Sequence, residues 1–317
     1  MPEAAIEPQS AAGVLMVRPA CFGFNPQTAA SNAFQRESAP GGTEASSAAL
    51  REFDGLADAL QRAGVQVIVV DDTAAPPKPD AIFPNNWVSM HRDGTVVLYP
   101  MLASNRRLER RDDILRLVTR EGGYQITRTV DLRQREEQGQ FLEGTGSLVL
   151  DRPNRTAYAS LSPRTNLDVL GEFAQLLDYE LVTFEAFDAA AQPIYHTNVL
   201  MAIGARCAVV CGAAITDSAQ RRGVMESLAA TGHEVIDISI AQMLRFAGNV
   251  LELAPPAGPL VVLSRNAWDA YHPAQRRRLD AQGGLVIVDI PVIERIGGGG
   301  VRCMLAEIHL PKREQRG

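Results

Sequence analysis

Short apolar runs and amphipathic stretches alternate along this chain in an order that comes round about every 54 residues. Trp87–His91 and Thr95–Tyr99 flank Arg92-Asp93-Gly94, a hairpin-turn composition. A helical stretch from about Asn105 to Thr119 and a strand-like run Tyr124–Val130 follow. The same order returns as Thr145–Leu150, Thr156–Leu161, a helix with Leu167, Leu170, Phe173, Leu176 and Leu177 on one face, and Leu181–Phe184. It returns again as Val199–Ile203, Cys207–Cys211, a helix from Asp217 to Ala230 and Glu234–Ile238. A further unit reads Val250–Leu253, Leu260–Leu263, a helix from about Pro273 and Leu285–Asp289. The fifth is divided. Met304–His309 lies near the C-terminal end, while Val14–Arg18, a helix around Ala48–Arg62 and Val65–Val70 lie near the N-terminal end.

Five strand–turn–strand–helix–strand units suggest radial repetition about an axis. The expected fold class is therefore α/β: a five-bladed α/β propeller, one closed domain over residues 14–311 in which the two end segments share a blade. Sharing that blade leaves few exposed sheet edges. Residues 1–13 are expected as a disordered tail and 312–317 as a C-terminal tail. The loop Cys21–Ser47, rich in Ala, Ser, Asn and Gly, is expected either as a lid or as disorder.

One position in each unit changes this from a fold into a site. Asn86, Glu143, His196, Asn249 and Cys303 share the repeat phase, each at or just before an apolar strand. Cys303 follows Gly297-Gly298-Gly299-Gly300-Val301-Arg302, a backbone free to approach a ligand closely; it reads as a nucleophile or as a buried packing thiol. His196, in Pro193-Ile194-Tyr195-His196-Thr197-Asn198, reads as a general base near its intrinsic pKa of about 6.5 or as a structural histidine. Glu143, before Gly144-Thr145-Gly146-Ser147, reads as the orienter of an imidazole or as a strand-edge surface residue. His91, His233, His272 and His309 lie off the phase and are expected at the surface, and Cys207 and Cys211 in the core.

Composition narrows the field further. Apolar content of 46% and charged content of 21% suit a soluble globular protein. A net charge of −6 argues against a nucleic-acid partner, and the run Arg106–Arg111 is expected as a solvated helix face. No apolar stretch reaches the roughly 18 residues that would span a bilayer. Met1–Gly13 lacks the basic start and apolar middle of a signal peptide, so a cytoplasmic location is expected. Four scattered cysteines do not form a disulfide framework, and neither metal-ligand spacing nor a nucleotide-binding loop occurs. No cofactor is expected, the expected partner is a small molecule, and homo-oligomerisation is left open.

The motifs together resemble the guanidino-group-modifying (pentein) superfamily of arginine deiminases, amidinotransferases and dimethylarginine dimethylaminohydrolases. Within it the chain is most similar to arginine-deiminase-related citrulline-utilisation hydrolases. The segments that carry the likeness are Phe22–Thr28, Asp80–Trp87, Phe141–Gly144, Ser162–Asn166, Tyr195–Asn198 and Gly297–Met304. The resemblance implies a Cys303–His196–Glu143 site, Asp80 on a substrate α-amino group, and Arg106 and Arg164 on its α-carboxylate. It also marks departures. Where relatives pair a cationic headgroup with acids, this chain has Asn85, Asn86 and Asn198, and Gly146 replaces a further acid. Amides offer both donor and acceptor to a neutral ureido group, whereas a guanidinium buried among amides stays unpaired. The expected activity is hydrolysis of citrulline to ornithine, carbon dioxide and ammonia through Cys303. Hydrolysis of arginine or a substituted arginine, amidino transfer, and amino-acid binding without turnover are the alternatives.

Overall fold

A computed structural model describes residues 7–37 and 42–313. The chain enters as β1 (Gly13–Arg18), crosses through helix α1 (Gly42–Arg62) and returns as β2 (Gln66–Asp71), parallel to β1. Ala49, Phe53, Leu56 and Leu60 recur at helical spacing on α1 and are buried, which binds the helix to the sheet. Next come β3 (Val88–Met90), β4 (Thr95–Leu98), α2 (Asp112–Arg120) and β5 (Arg128–Asp131). The pattern repeats as β6 (Val149–Asp151), β7 (Thr156–Ser160), α3 (Leu167–Leu177) and β8 (Glu180–Phe184). It repeats as β9 (Met201–Ile203), β10 (Cys207–Val210), α4 (Ser218–Ala230) and β11 (Glu234–Asp237). The next unit has β12 (Leu251–Leu253), β13 (Leu260–Ser264), helices α5 (Arg265–Ala270) and α6 (Pro273–Asp280), and β14 (Gly284–Val288). Finally β15 (Ala306–Glu307) pairs antiparallel with β1. Side chains set the helix starts: Asn166 caps α3 and Asp217 caps α4, each accepting two backbone N–H groups.

The described residues thus form five three-stranded sheets of one design. In each, the middle strand runs antiparallel to one neighbour and parallel to the other. The fold is α/β. Adjacent sheets touch through their short antiparallel strands: β15 meets β3, β6 meets β9, and β9 meets β12. The turn Gly144–Ser147 ahead of β6 packs on β3, and α1 packs on β14, so contact passes from sheet to sheet and returns to the first. No helix among the described residues is long and apolar enough to cross a membrane.

Three expectations need correction. Residues 7–12, assigned to a disordered tail, pack on the inner strands. Glu7 pairs with Arg152 at 2.8 Å and Arg155 at 3.3 Å, and the Gln9 amide donates to the carbonyls of Leu150 and Ile203. Arg152 is 2% exposed, and a guanidinium that deeply buried requires a counter-charge. His91, His233 and His309, expected at the surface, are buried against Ser89, Gly204 and Glu307 respectively. Arg106–Arg111 is no solvated helix face: a 3₁₀ turn over Ser104–Glu109 buries Arg106 and Glu109, and α2 starts only at Asp112. Cys207 and Cys211 lie in the core beneath α4. Lys312, at the start of the expected C-terminal tail, bridges to Tyr124; residues 1–6, 38–41 and 314–317 lie outside the described residues.

Candidate active site

Four of the five residues in repeat phase lie in or beside a single helical turn just before a short antiparallel strand. Those turns are Pro84–Asn86, Gly144–Ser147, Thr197–Leu200 and Val301–Met304. The sequence pattern extended the strands into these turns because Thr145, Val199 and Met304 are strand-like residues. Tertiary hydrogen bonds decide otherwise. Ser147 Oγ accepts the Glu143 N–H and donates to the Arg164 carbonyl, and Thr197 Oγ1 donates to the Ser147 carbonyl. Three of these turns bring Asn86, His196 and Cys303 to a common cavity also lined by Thr28, Asp80, Arg106 and Arg164, with the Gly297–Gly299 backbone as one wall, while Glu143 lies fully buried behind it.

His196 Nε2 meets Glu143 Oε2 at 2.8 Å. Burial would raise the Glu143 carboxyl, but Arg164 at 3.3 Å, the His196 hydrogen bond and Arg106 at 3.9 Å outweigh it and hold the group well below the ordinary carboxylate range. An ionised Glu143 only accepts, so His196 carries its proton on Nε2 and leaves Nδ1 bare. Burial lowers the imidazole to about 4 against the pull of Glu143. Burial also raises the Cys303 thiol above its ordinary value, only partly offset by the hydrogen bond from Asn249. The resting pair is therefore a neutral thiol and a neutral imidazole.

Amides surround the thiol. Asn249 Nδ2 lies 3.3 Å and Asn198 Nδ2 3.6 Å from Cys303 Sγ. Asn249 is fixed at both ends: its Oδ1 accepts the Arg302 N–H at 3.0 Å, and its Nδ2 also donates to the Asn198 carbonyl at 2.9 Å. The glycine run lets this approach happen. A β-carbon at Gly300 would come within 2.5 Å of Asn249 Oδ1, and Gly298 takes φ of 67°, a left-handed backbone that turns the run. Among the described residues, no carboxylate hydrogen-bonds Cys303, Asn198 or Asn249.

The remaining residues divide. Asp80 lines the cavity; its Oδ2 accepts from Asn25 and Thr28, while buried Oδ1 has no partner among the described residues. Arg164 turns its Nε and Nη2 onto Ser31 Oγ at 3.0 and 2.7 Å, and its guanidinium lies 4.9 Å from the Tyr195 ring centre. Arg106 is in the cavity wall, but its fork is closed on Glu109, with Nε and Nη2 each 2.9 Å from a carboxylate oxygen. In this structure that fork is taken up by Glu109. Asn86 lines the cavity; Asn85, fully buried, does not, and its side-chain atoms have no partner among the described residues.

Sequence reasoning missed Glu109, Ser31, Thr28 and Tyr195. The Arg106–Glu109 spacing of three was a legible sign of a pair. Part of the Cys21–Ser47 loop does cover the cavity: Asn25 caps the short turn Pro26–Ala29, Thr28 faces Asp80, and Asn32 reaches the Gly297 and Gly298 carbonyls. Its far end is the start of α1. Among the described residues no cluster of His, Cys, Asp or Glu could hold a metal ion.

With that geometry, the sequence matches the eukaryotic N,N-dimethylarginine dimethylhydrolase family over residues 18–310. The chain belongs to this family. It is thereby a pentein-superfamily member and a hydrolase acting on carbon–nitrogen bonds. Solved structures agree on the fold. AgrE in a binary complex with L-arginine is 20% identical, with a TM-score of 0.73 over 96% of this chain and 41% of that one. The substrate-bound N-terminal domain of ArgZ, an arginine dihydrolase from the ornithine-ammonia cycle in cyanobacteria, is 17% identical, with a TM-score of 0.71 over 93% and 97%. The dimethylarginine hydrolase (DDAH) of Pseudomonas aeruginosa complexed with citrulline is 15% identical, with a TM-score of 0.63 over 94% and 100%. No curated protein matches the sequence.

Proposed function

We infer that this enzyme cleaves citrulline to ornithine, carbon dioxide and ammonia through a covalent Cys303 intermediate. The supporting observation is the set of amides about the thiol: Asn198 and Asn249 contact Cys303 and Asn86 lines the cavity, and among the described residues no acid is bonded to the thiol or to the two asparagines on it. A neutral ureido group finds donors and acceptors there, whereas a guanidinium would sit as an unpaired buried charge. At the other end, the unpartnered Asp80 oxygen suits an α-ammonium group, and the Arg164 fork suits the α-carboxylate once Ser31 releases it.

Because thiol and imidazole rest neutral, substrate must arrive before charge develops. His196 Nδ1 takes the Cys303 proton as sulfur attacks the ureido carbon. The oxygen gains negative charge beside the amide N–H groups. The bond from carbon to the ornithine nitrogen then breaks, and that nitrogen leaves with the proton held by His196. Water attacks the S-carbamoyl group, His196 takes the water proton, and the carbon–sulfur bond breaks. The thiolate recovers its proton from His196, and the released carbamate decomposes to carbon dioxide and ammonia. His196 carries every proton, so the route calls for no metal or organic cofactor.

A second reading, hydrolysis of arginine or a methylated arginine, draws on the free Asp80 oxygen and on the family's description. Ornithine and ammonia release, measured with citrulline beside arginine and dimethylarginine, separates the two. Turnover of citrulline by a wide margin is expected; turnover of the guanidino substrates alone refutes the ureido reading.

A further inference from the structure

Asn249 meets the Cys303 sulfur with an amide that can stand only one way round. Its Oδ1 accepts the Arg302 N–H at 3.0 Å. Its Nδ2 donates to the Asn198 carbonyl at 2.9 Å and to Cys303 Sγ at 3.3 Å. Turned over, the amide would set NH2 against an N–H and oxygen against a carbonyl, losing both anchors. The residue is 1% exposed, so those losses would fall where an unpaired polar group is costly. Its backbone is held as well, by its own N–H on the Phe246 carbonyl at 2.9 Å. Asn198 differs. Its Nδ2 lies 3.6 Å and its Oδ1 3.8 Å from the same sulfur, so either end of that amide reaches it. The turn Val301–Met304 thus supplies both the N–H that orients Asn249 and the sulfur that Asn249 faces.

We propose that Asn249 is a catalytic residue: it keeps an N–H on the Cys303 sulfur and stabilises the negative charge that develops there as the thiol loses its proton. Burial resists that charge, and of the groups that favour it the Asn249 hydrogen bond acts most strongly. A neutral donor suits the step, because its bond strengthens as the sulfur ionises and weakens as the new carbon–sulfur bond draws the charge away. The thiol proton still goes to His196 and the sulfur electron pair to the substrate carbon; Asn249 keeps its own protons throughout. With one N–H on Asn198 and the other on the sulfur, Asn249 serves the nucleophile and not the headgroup. The role rests on Cys303 as the nucleophile.

Asn249→Asp keeps the shape and an acceptor for Arg302 but removes the NH2; Asn249→Ala removes the whole group. Alkylation of Cys303 by iodoacetamide is followed by mass spectrometry of its peptide, across pH and without substrate. Kinetics on citrulline and arginine accompany it. The pH of half-maximal alkylation should rise by about one unit or more, and further for the aspartate than for the alanine. On whichever substrate the parent turns over, kcat should fall roughly tenfold to a hundredfold with KM within about threefold. A change in access alone scales the alkylation rates and leaves the midpoint in place. An unmoved midpoint in folded Asn249→Asp enzyme overturns the proposal, as does a loss carried by KM alone, which marks a substrate contact. Should that variant fail to fold, Asn249→Ala decides by the same two readouts. Alkylation needs no turnover, so the two readings fail separately. Activity retained in Cys303→Ser overturns the nucleophile and the catalytic role with it, while the midpoint shift still reports the bond to sulfur.

Discussion

Gly146 tests how closely the site is built. A β-carbon there would lie 2.4 Å from Asn86 Nδ2 and 2.8 Å from the His196 ring, where 3.4–4 Å is ordinary contact, so one or both neighbours must retreat by about 1 Å. Neither is loose, because Arg106 holds Asn86 at 2.9 Å and Glu143 holds His196 at 2.8 Å. The Gly146 backbone lies outside the left-handed region, so alanine itself is tolerated there. Reduced freedom of the unfolded chain favours Gly146→Ala by about 0.4–1 kcal/mol, and overpacking costs about 1–3 kcal/mol. The net loss of stability is therefore modest, of order 1–2 kcal/mol, a few degrees in melting temperature for a chain this size. Catalysis is hit harder: a displacement of about 1 Å at a reacting group costs on the order of a hundredfold. The assay is kcat/KM on citrulline with a thermal melt of the same preparation. A folded Gly146→Ala enzyme with kcat within threefold of the parent would refute the close-packed arrangement of Asn86, Gly146 and His196.

Cys303→Ser should abolish turnover and keep the melting temperature within a few degrees; activity within tenfold of the parent removes the nucleophile assignment. Burial raises the Cys303 thiol, so alkylation by iodoacetamide in the absence of substrate should climb steadily with pH through neutrality; a plateau near pH 7 would reveal a preformed thiolate. Glu143→Gln leaves Arg164 without its buried partner and should cost about 3–5 kcal/mol at neutral pH. The folded Glu143 pKa is depressed, so its contribution is present above the ordinary glutamate value of about 4.3 and is lost as pH falls toward the folded value. The melting-temperature gap between parent and variant should accordingly narrow below about pH 4, and a gap that stays constant contradicts the assignment.

The repeat was legible because each unit must bury the same short strand, and burial leaves a periodic apolar mark. Four of the five phased positions were legible for the same reason: a helical turn that recurs just before the inner strand carries each of them. Asn249 shows where such reading stops. Its phase placed it at the site, but only the Arg302 N–H bonded to its oxygen reveals which end of the amide meets the sulfur. Arg106 was misread for a related reason. Consecutive arginines look alike in sequence, and whether one turns inward depends on a carboxylate three residues later and on an asparagine twenty residues earlier. The Asn86 substitution was visible in the sequence; the direction of its amide was not. An asparagine in place of an acid removes a charge, which by itself only weakens the hold on a cation. An asparagine whose oxygen is bonded to Arg106 also keeps its NH2 buried and unpartnered among the described residues, which under the ureido reading proposed above is a second weight against a guanidinium.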